Sequence, residues 1–295
     1  MNKSFQKSAK ILQELHQPHP GIIDLDNFNK YFRLRCYEPS LDLRPFVAHI
    51  WTQRLHTTPD HAPIEITTGP NIYLFFTSES AFINDIDKHG FKYNPLASEV
   101  IVGVKFRPGG FYPFIRRPVC QLKAHTTDIQ SVFPAADELF RATLLSQSDE
   151  GAVAMLETLL RDVRPQHNKK LDLIAKILAA LEDNTSLQSV EAVARAFGIS
   201  ERSLQLLFQT YVGVGLKWVI TRRRLLEAIA QVQAQPHRSW ADVAAELGYS
   251  SQSHFSREFK KVIGLSPSQY LRVISPTFSS TDYSSPLGQT RQHPA

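Results

Sequence analysis

Hydrophobic and polar positions along the chain keep two rhythms, and the change from one to the other divides it. Between residues 31 and 106 apolar residues come in short runs broken by Gly, Pro and Ser. Tyr31 to Tyr37, Ala48 to His56, Ile64 to Thr67, Ile72 to Phe76, Ala81 to Asp87 and Val100 to Phe106 read as strands, separated by Gly69-Pro70, Ser78-Glu79-Ser80 and Lys88-His89-Gly90. Strands this short and this closely spaced predict a small β-barrel or half-barrel. From Phe111 the spacing of apolar positions shifts to three and four. Phe111 to Ile115, Ser131 to Leu145 and Asp149 to Val163 read as helices, with Asp149 as a cap, so the N-terminal half is α+β. Ahead of all this, residues 1–20 read as a short amphipathic helix on Phe5, Ile11, Leu12 and Leu15, ended by Pro18 and Pro20.

Past the junction Arg164 to His167 the pattern is wholly helical. Lys170 to Leu181 is striped by Leu171, Ile174, Leu178 and Leu181. In the stretch WADVAAELGYSSQSHFSREFKKVIGLSPSQYL, Val243, Ala244 and Leu247 make one apolar face, and Gly248 stops the helix where a left-handed residue is favoured. Ser250 or Ser251 then caps a second helix whose stripe is Phe255, Phe259 and Val262. Its outer face offers Gln252, Ser253, Ser256, Arg257 and Lys260. Two helices across a glycine turn, the second polar outside, describe a helix-turn-helix.

The motif occurs twice. In VEAVARAFGISERSLQLLFQTYVGVGLKWV, Val193, Ala194, Gly198 and Ser200 correspond to Val243, Ala244, Gly248 and Ser250. With one extra residue in the second turn, Leu204, Phe208 and Gly213 then stand for Phe255, Phe259 and Gly264. A long helix from about Leu216 to Ala234 joins the copies and carries Arg222-Arg223-Arg224. A duplicated unit of this kind is far harder to obtain by chance than a single helical hairpin.

At these residues the chain resembles the AraC/XylS family of bacterial transcription regulators, over about residues 168–274. The segment GYSSQSHFSREFKKVIGLSPSQYLR is similar to that family's C-terminal signature. The resemblance departs where the first copy has Val214-Gly215-Leu216 against Leu265-Ser266-Pro267, so a proline at a helix start is missing. VIVGVKFRPGGFYPFI resembles the N-terminal domain of one AraC-type subgroup. The family reads base edges from the exposed face of each recognition helix. That implies Arg202, Gln205 and Leu206 in the first copy and Gln252, Ser253, Ser256 and Arg257 in the second, with Lys260 beside them. Arginine suits guanine and glutamine adenine, while Leu206, where the family tends to place a polar residue, suits a thymine methyl. Of the three adjacent arginines, neighbours are about 100° apart on a helix. One or two of them, Arg222 and Arg223 as first choice, are expected at phosphate. The resemblance implies double-stranded DNA and RNA polymerase as partners.

Charge agrees with this division. Residues 1–165 carry eighteen Lys and Arg against eighteen Asp and Glu, residues 166–275 carry fourteen against nine, and the tail one of each. Residues 1–165 are thus expected to be a sensor or dimerisation domain, 166–275 an all-α DNA-binding domain, and 276–295, rich in Ser, Thr and Pro, a disordered tail. Cys36 and Cys120 are too few for a disulfide framework or a zinc site. No apolar run approaches about 18 residues, so no membrane span is expected, and the resemblance places the protein in the cytoplasm.

Chemistry elsewhere is thin. There is no nucleophile elbow, Walker loop or helical HExxH, no cofactor or metal is expected, and the chain reads as a non-enzyme. Arg107-Pro108-Gly109-Gly110, after a strand and before a helix, could hold an anion or simply turn. Trp51, Tyr73 and Phe75, with Phe32 and Phe106, could line a pocket for a small-molecule effector or belong to the core; Arg107 is the polar candidate beside them. Two other readings stay open: a DNA alkyl-damage repair enzyme fused to the DNA reader, and an N-terminal domain that binds only protein partners, such as a second copy of the chain.

Overall fold

Ile50, Trp51, Thr52 and Gln53 are four consecutive buried residues, so the strand they form is covered on both faces. Around it the computed structural model describes residues 31–57, 65–66, 69–84, 86, 91–92, 99–122, 128–183, 186–235 and 238–274. The strands are β1 (Phe32–Tyr37), β2 (Val47–Leu55), β3 (Glu65–Ile66), β4 (Tyr73–Phe76), β5 (Ala81–Asn84), β6 (Phe91–Lys92) and β7 (Val100–Phe106). Five of them form an antiparallel sheet in the order β1-β2-β7-β4-β5, and β3 pairs with β6 in a separate ribbon. The α+β expectation holds, with an open sheet among the described residues.

Period-two alternation gives this sheet two unlike faces. Tyr37, Ile50, Leu74, Phe76, Ile83, Val102 and Val104 belong to the main core. They share it with α2 (Glu138–Ser146) and α3 (Asp149–Asp162) through Leu144, Ala152, Val153, Leu156 and Leu160. Cys36, Trp51, Phe75 and Ile101 make a second, smaller cluster on the opposite face.

Two helix starts differ from the sequence reading. The helix expected from Ser131 begins at Glu138, after a 3-10 turn at Ile129–Ser131. Pro134 cannot donate to a helical ladder, and Asp137 caps the later start by accepting from Phe140 N at 2.8 Å. The cap of α3 is Ser148, not Asp149. Asp149 is drawn inward instead, its carboxylate 2.7 Å from Arg54 Nε and 3.3 Å from Arg35 Nη1. Burial alone would raise its pKa, but the hydrogen bond and charge of Arg54, with Arg35, outweigh that and hold it below the ordinary value.

A short α1 (Tyr112–Ile115) precedes these, and the C-terminal half then runs α4 (Lys169–Asp183), α5 (Val190–Phe197), α6 (Glu201–Tyr211), α7 (Leu216–Ala234), α8 (Trp240–Glu246), α9 (Gln252–Ile263) and α10 (Pro267–Ile274). The main core does not break at the junction near residue 165. Leu171, Ile174, Leu204, Phe208 and Tyr211 belong to the same cluster as Phe46, Phe111 and Val119. The second half of the helical region has a core of its own, built from Leu225, Ile229, Trp240, Val243, Phe255, Phe259 and Tyr270. Trp218 on α7 packs against both. The helix expected in residues 1–20 and the tail from residue 276 lie outside the described residues. Among the described residues no helix is long and apolar enough to cross a membrane.

Candidate nucleic-acid interface

Each helix-turn-helix is set up by local chemistry. In the first, α5 is capped by Ser189, α6 by Ser200, and Gly198 between them takes φ +65°. In the second, Ser239 caps α8, Ser251 caps α9, and Gly248 takes φ +74°. A left-handed residue at this point lets the chain turn sharply without a Cβ clash, so glycine stands at both. Of the alternatives Ser250 and Ser251, the cap is Ser251, accepting from His254 N at 3.1 Å. The extra residue in the second copy therefore sits in its turn.

The apolar stripes face inward as their spacing requires. Leu204, Phe208 and Tyr211 are buried under α6, and Phe255, Phe259, Val262 and Ile263 under α9. That turns Arg202, Gln205 and Leu206 outward on α6, and Gln252, Ser253, Arg257 and Lys260 outward on α9, with Ser256 half-buried. Leu206 is 65% exposed, an apolar side chain held in water by the helix it belongs to. Surface arginines nearby are paired, Arg195 with Glu191 and Arg238 with Glu246. Among the described residues no carboxylate lies within ion-pair distance of Arg202, Arg257 or Lys260. The guanidinium of Arg257 is held only loosely, its Nε 3.4 Å from Ser253 O.

The three adjacent arginines of α7 part company. Arg222, expected at phosphate, is only 6% exposed and points back to the sheet, beside Tyr73 and the Gly69 turn. Burial lowers its pKa, partly countered by Tyr73. It is withdrawn from any DNA surface, because its direction on the helix carries it into the packed junction. Arg224 turns the other way, donating to the Leu247 carbonyl, with its guanidinium carbon 4.5 Å from the Tyr249 ring centre. It closes the C-terminus of α8. Arg223 is half-buried, 3.9 Å from Glu227.

On the second face of the sheet, three of the effector candidates come together and one does not. Trp51 and Phe75 meet edge to face at 5.3 Å, Tyr73 lies 5.9 Å from Phe75, and Phe82 stacks on Phe75 at 5.1 Å. Gly103 makes room for the indole, since a Cβ there would lie 2.5 Å from it. The next row of the same face holds Asn84, Tyr73, Lys105 and His49, opposite one another in register. Asn84 is 1% exposed, and among the described residues neither atom of its amide has a hydrogen-bond partner. The Lys105 ammonium lies 5.8 Å from the centre of the Tyr73 ring. Cys36 is on this face too, its thiol pushed up to about 11 by burial. Asn84 and Lys105 were not singled out from the sequence, although counting by two from Phe82 and Gly103 would have placed them here.

Phe106 belongs to the main core, and Arg107 is apart from this face. Its Nε donates to Arg44 O at 2.7 Å, and the glycines after it serve packing. A Cβ on Gly110 would lie 2.1 Å from Phe46 O, and Gly109 sits against Ile174 and Leu171. Gly109 also takes φ +84°, the turn that the sequence offered beside an anion site, and Arg107 is no part of the aromatic cluster. Among the described residues no three His, Cys, Asp or Glu side chains stand together as metal ligands could.

Known proteins share these parts. The family profile described as Helix-turn-helix domain matches residues 193–272, and that of a domain of unknown function (DUF6597) matches residues 35–128. The putative HTH-type transcriptional regulator YkgA of Escherichia coli is 43% identical over 82 residues, covering 28% of this chain and 34% of YkgA. The match thus spans about a third of that relative's length. The HTH-type transcriptional activator AarP of Providencia stuartii is 34% identical over 99 residues, covering 33% of this chain and 73% of AarP. Among solved structures, ToxT of Vibrio cholerae with an unsaturated fatty acid bound is matched at 14% identity over 71% of this chain and 85% of that one, with a TM-score of 0.34. Two helix-turn-helix units in tandem, together with a relative such as AarP matched over most of its length, lead to one conclusion: the chain belongs to the AraC/XylS family of bacterial transcriptional regulators.

Proposed function

We propose that the protein is a sequence-specific DNA-binding regulator of transcription, with α6 and α9 as its two reading helices and Arg202, Gln205, Leu206, Gln252, Ser253, Ser256, Arg257 and Lys260 as its reading face. One observation carries this. Two helices of the same construction, at either end of a 19-residue helix, turn outward side chains whose cations have no acidic partner. Cations left unpaired in this way are ready for phosphate or for a guanine edge. Fluorescence anisotropy of the full chain on a selected duplex tests it. Affinity falls linearly with salt on a log–log scale and exceeds that for random DNA by at least about 10³. Equal affinity for selected and random duplexes would defeat the reading.

We further propose that the sheet face of Trp51, Tyr73, Phe75 and Phe82 binds a small effector with a flat apolar body and a polar group directed at Asn84. An amide buried with both its atoms unsatisfied is costly, and a ligand that bonds to it recovers that cost. A thermal-shift screen of the full chain against small metabolites is the test. A true effector raises the melting temperature by mass action, and Asn84→Leu abolishes the shift without lowering the melting temperature of the unliganded protein. Shifts that all survive Asn84→Leu would remove the site from this face.

A further inference from the structure

Gly215 is the N-cap of α7, with φ −74° and ψ 152°, a backbone that any residue adopts. The residues favoured at such a position are Ser, Thr, Asp and Asn, because a side-chain oxygen there accepts from a first-turn N–H. The reading helices and their partners use serine throughout, at Ser189, Ser200, Ser239 and Ser251. Ser266, which occupies in the second copy the place of Gly215 in the first, exchanges bonds with Gln269. Its N donates to Gln269 Oε1 at 2.9 Å, and Gln269 N donates to Ser266 Oγ at 3.2 Å. α7 has no side-chain cap bond. Neither backbone angle nor capping calls for glycine at this place.

Space does. A Cβ on Gly215 would lie 2.8 Å from Nε2 and 2.8 Å from Oε1 of Gln205, and 3.2 Å from its Cδ. The amide of Gln205 rests on the bare Cα of Gly215, across the turn that joins α6 to α7. In the second copy the corresponding pair is Ser256 and Ser266, so a short side chain on the reading helix goes with the larger residue at the cap. The two copies have exchanged volume between the same two positions.

We infer that Gly215 is a positioning residue for base recognition, acting through Gln205. By leaving the Cβ space empty it keeps the Gln205 amide in one orientation. That amide makes no hydrogen bond among the described residues, so its donor and acceptor are open together to the N7 and N6 of an adenine. A side chain at residue 215 displaces the far end of a flexible glutamine, which costs the fold little and moves the reading group. The inference rests on the proposal that α6 reads bases, and the test separates the two.

The experiment measures the affinity of full-length variants for the cognate duplex and for every single-base-pair change in it. The part of the duplex facing α6 is its first block and the part facing α9 its second, and Gln205→Ala lowers the preference at one base pair of the first block by about tenfold. Gly215→Ser, which restores the favoured cap, lowers the preference at that same base pair to a similar extent, and the double variant loses nothing further. Preferences in the second block stay as they are, and the melting temperature of Gly215→Ser does not fall. If Gln205→Ala flattens one position and Gly215→Ser leaves the profile untouched, the inference is overturned while base reading by α6 stands. A uniform loss at all positions, or a lowered melting temperature, would show Gly215 to be structural and overturns it equally. If Gln205→Ala changes no position, both the inference and the reading role of Gln205 are lost.

Discussion

The ring of Tyr112, on α1, stacks on the ring of Tyr211, the last residue of α6, with centroids 4.0 Å apart. A residue of the N-terminal half thereby holds the end of α6. Gly213 beside it packs on Val119 and Ile86, and Lys170 places its ammonium 5.5 Å from the Tyr211 ring centre. The first helix-turn-helix shares the core of the sheet, and the second rests on a core of its own.

Hydrogen exchange registers that asymmetry. In the full chain, amides of α4 and α6 are protected to the same level as β2 and β7, and those of α8 and α9 open at lower free energy. Tyr211→Ala lowers the protection of α6 and of β7 together, at a cost of about 3–5 kcal/mol for a buried aromatic. Loss confined to α6 would mean the two are coupled only by proximity.

Acid acts on two carboxylates in a predictable direction. Asp42 is held at about 2, first by the hydrogen bond from Arg161, and Asp149 is held below its ordinary value by Arg54 and Arg35 despite its burial. Both folded pKa values lie below the unfolded ones. Their stabilisation is therefore present above the ordinary carboxylate range near pH 4 and is lost as pH falls through the folded values, about 2 for Asp42. Asp149→Asn costs about 1–3 kcal/mol at neutral pH and flattens that acid limb. Urea titrations between pH 2.5 and 7 measure both effects, and an unchanged limb in Asp149→Asn would assign it to other groups. Asp42 is largely exposed and contributes the smaller part.

Gly103→Ala is expected to fail in the core. The new methyl would stand 2.5 Å from the Trp51 indole, a stiff ring that also meets Phe75 edge to face. Overpacking of this kind costs about 1–3 kcal/mol or more. Chemical denaturation gives the value, and a variant as stable as the parent would show that Trp51 has another rotamer open to it.

On α9 two cations are predicted to act differently. Arg257→Ala costs about 1–3 kcal/mol on the cognate site and relaxes preference at a single base pair. Lys260→Ala weakens all sequences alike and lowers the salt slope by about one. Binding to a panel of single-base variants at several salt concentrations distinguishes them. Uniform loss in both would make Arg257 a phosphate contact.

The rod between the heads sets a spacing. α7 has 19 residues and spans about 28 Å, close to the 34 Å of one turn of B-DNA. Adding about five base pairs between the two blocks turns the second to the far side of the duplex, at a bending cost of several kcal/mol. Affinity of the full chain then falls towards its non-specific level. A footprint reduced to one block at unchanged affinity would leave recognition to a single head, with α9 and Arg257 as the survivor.

Much of this was readable from residues alone, for a local reason. A helix stripe at i, i+4, a serine before it and a glycine after it act within a few residues of one another, so both helix-turn-helix units and the Leu216–Ala234 helix appear where the pattern puts them. Strands β1, β2, β4 and β7 lie on the short apolar runs in the same way. What the sequence left open was direction and company. Three neighbouring arginines have the same chemistry, and helix geometry says only that they diverge. That Arg222 enters the sheet junction and Arg224 closes α8 depends on what lies around α7, which is set by contacts between residues far apart in the chain. Asp149 was legible as a cap and became a buried counter-ion, because Arg54 and Arg35 approach it from strands more than ninety residues earlier. The space above Gly215 is of the same kind. No pattern in the sequence links it to Gln205, and only the packing of one helix start against the helix before it brings the two together.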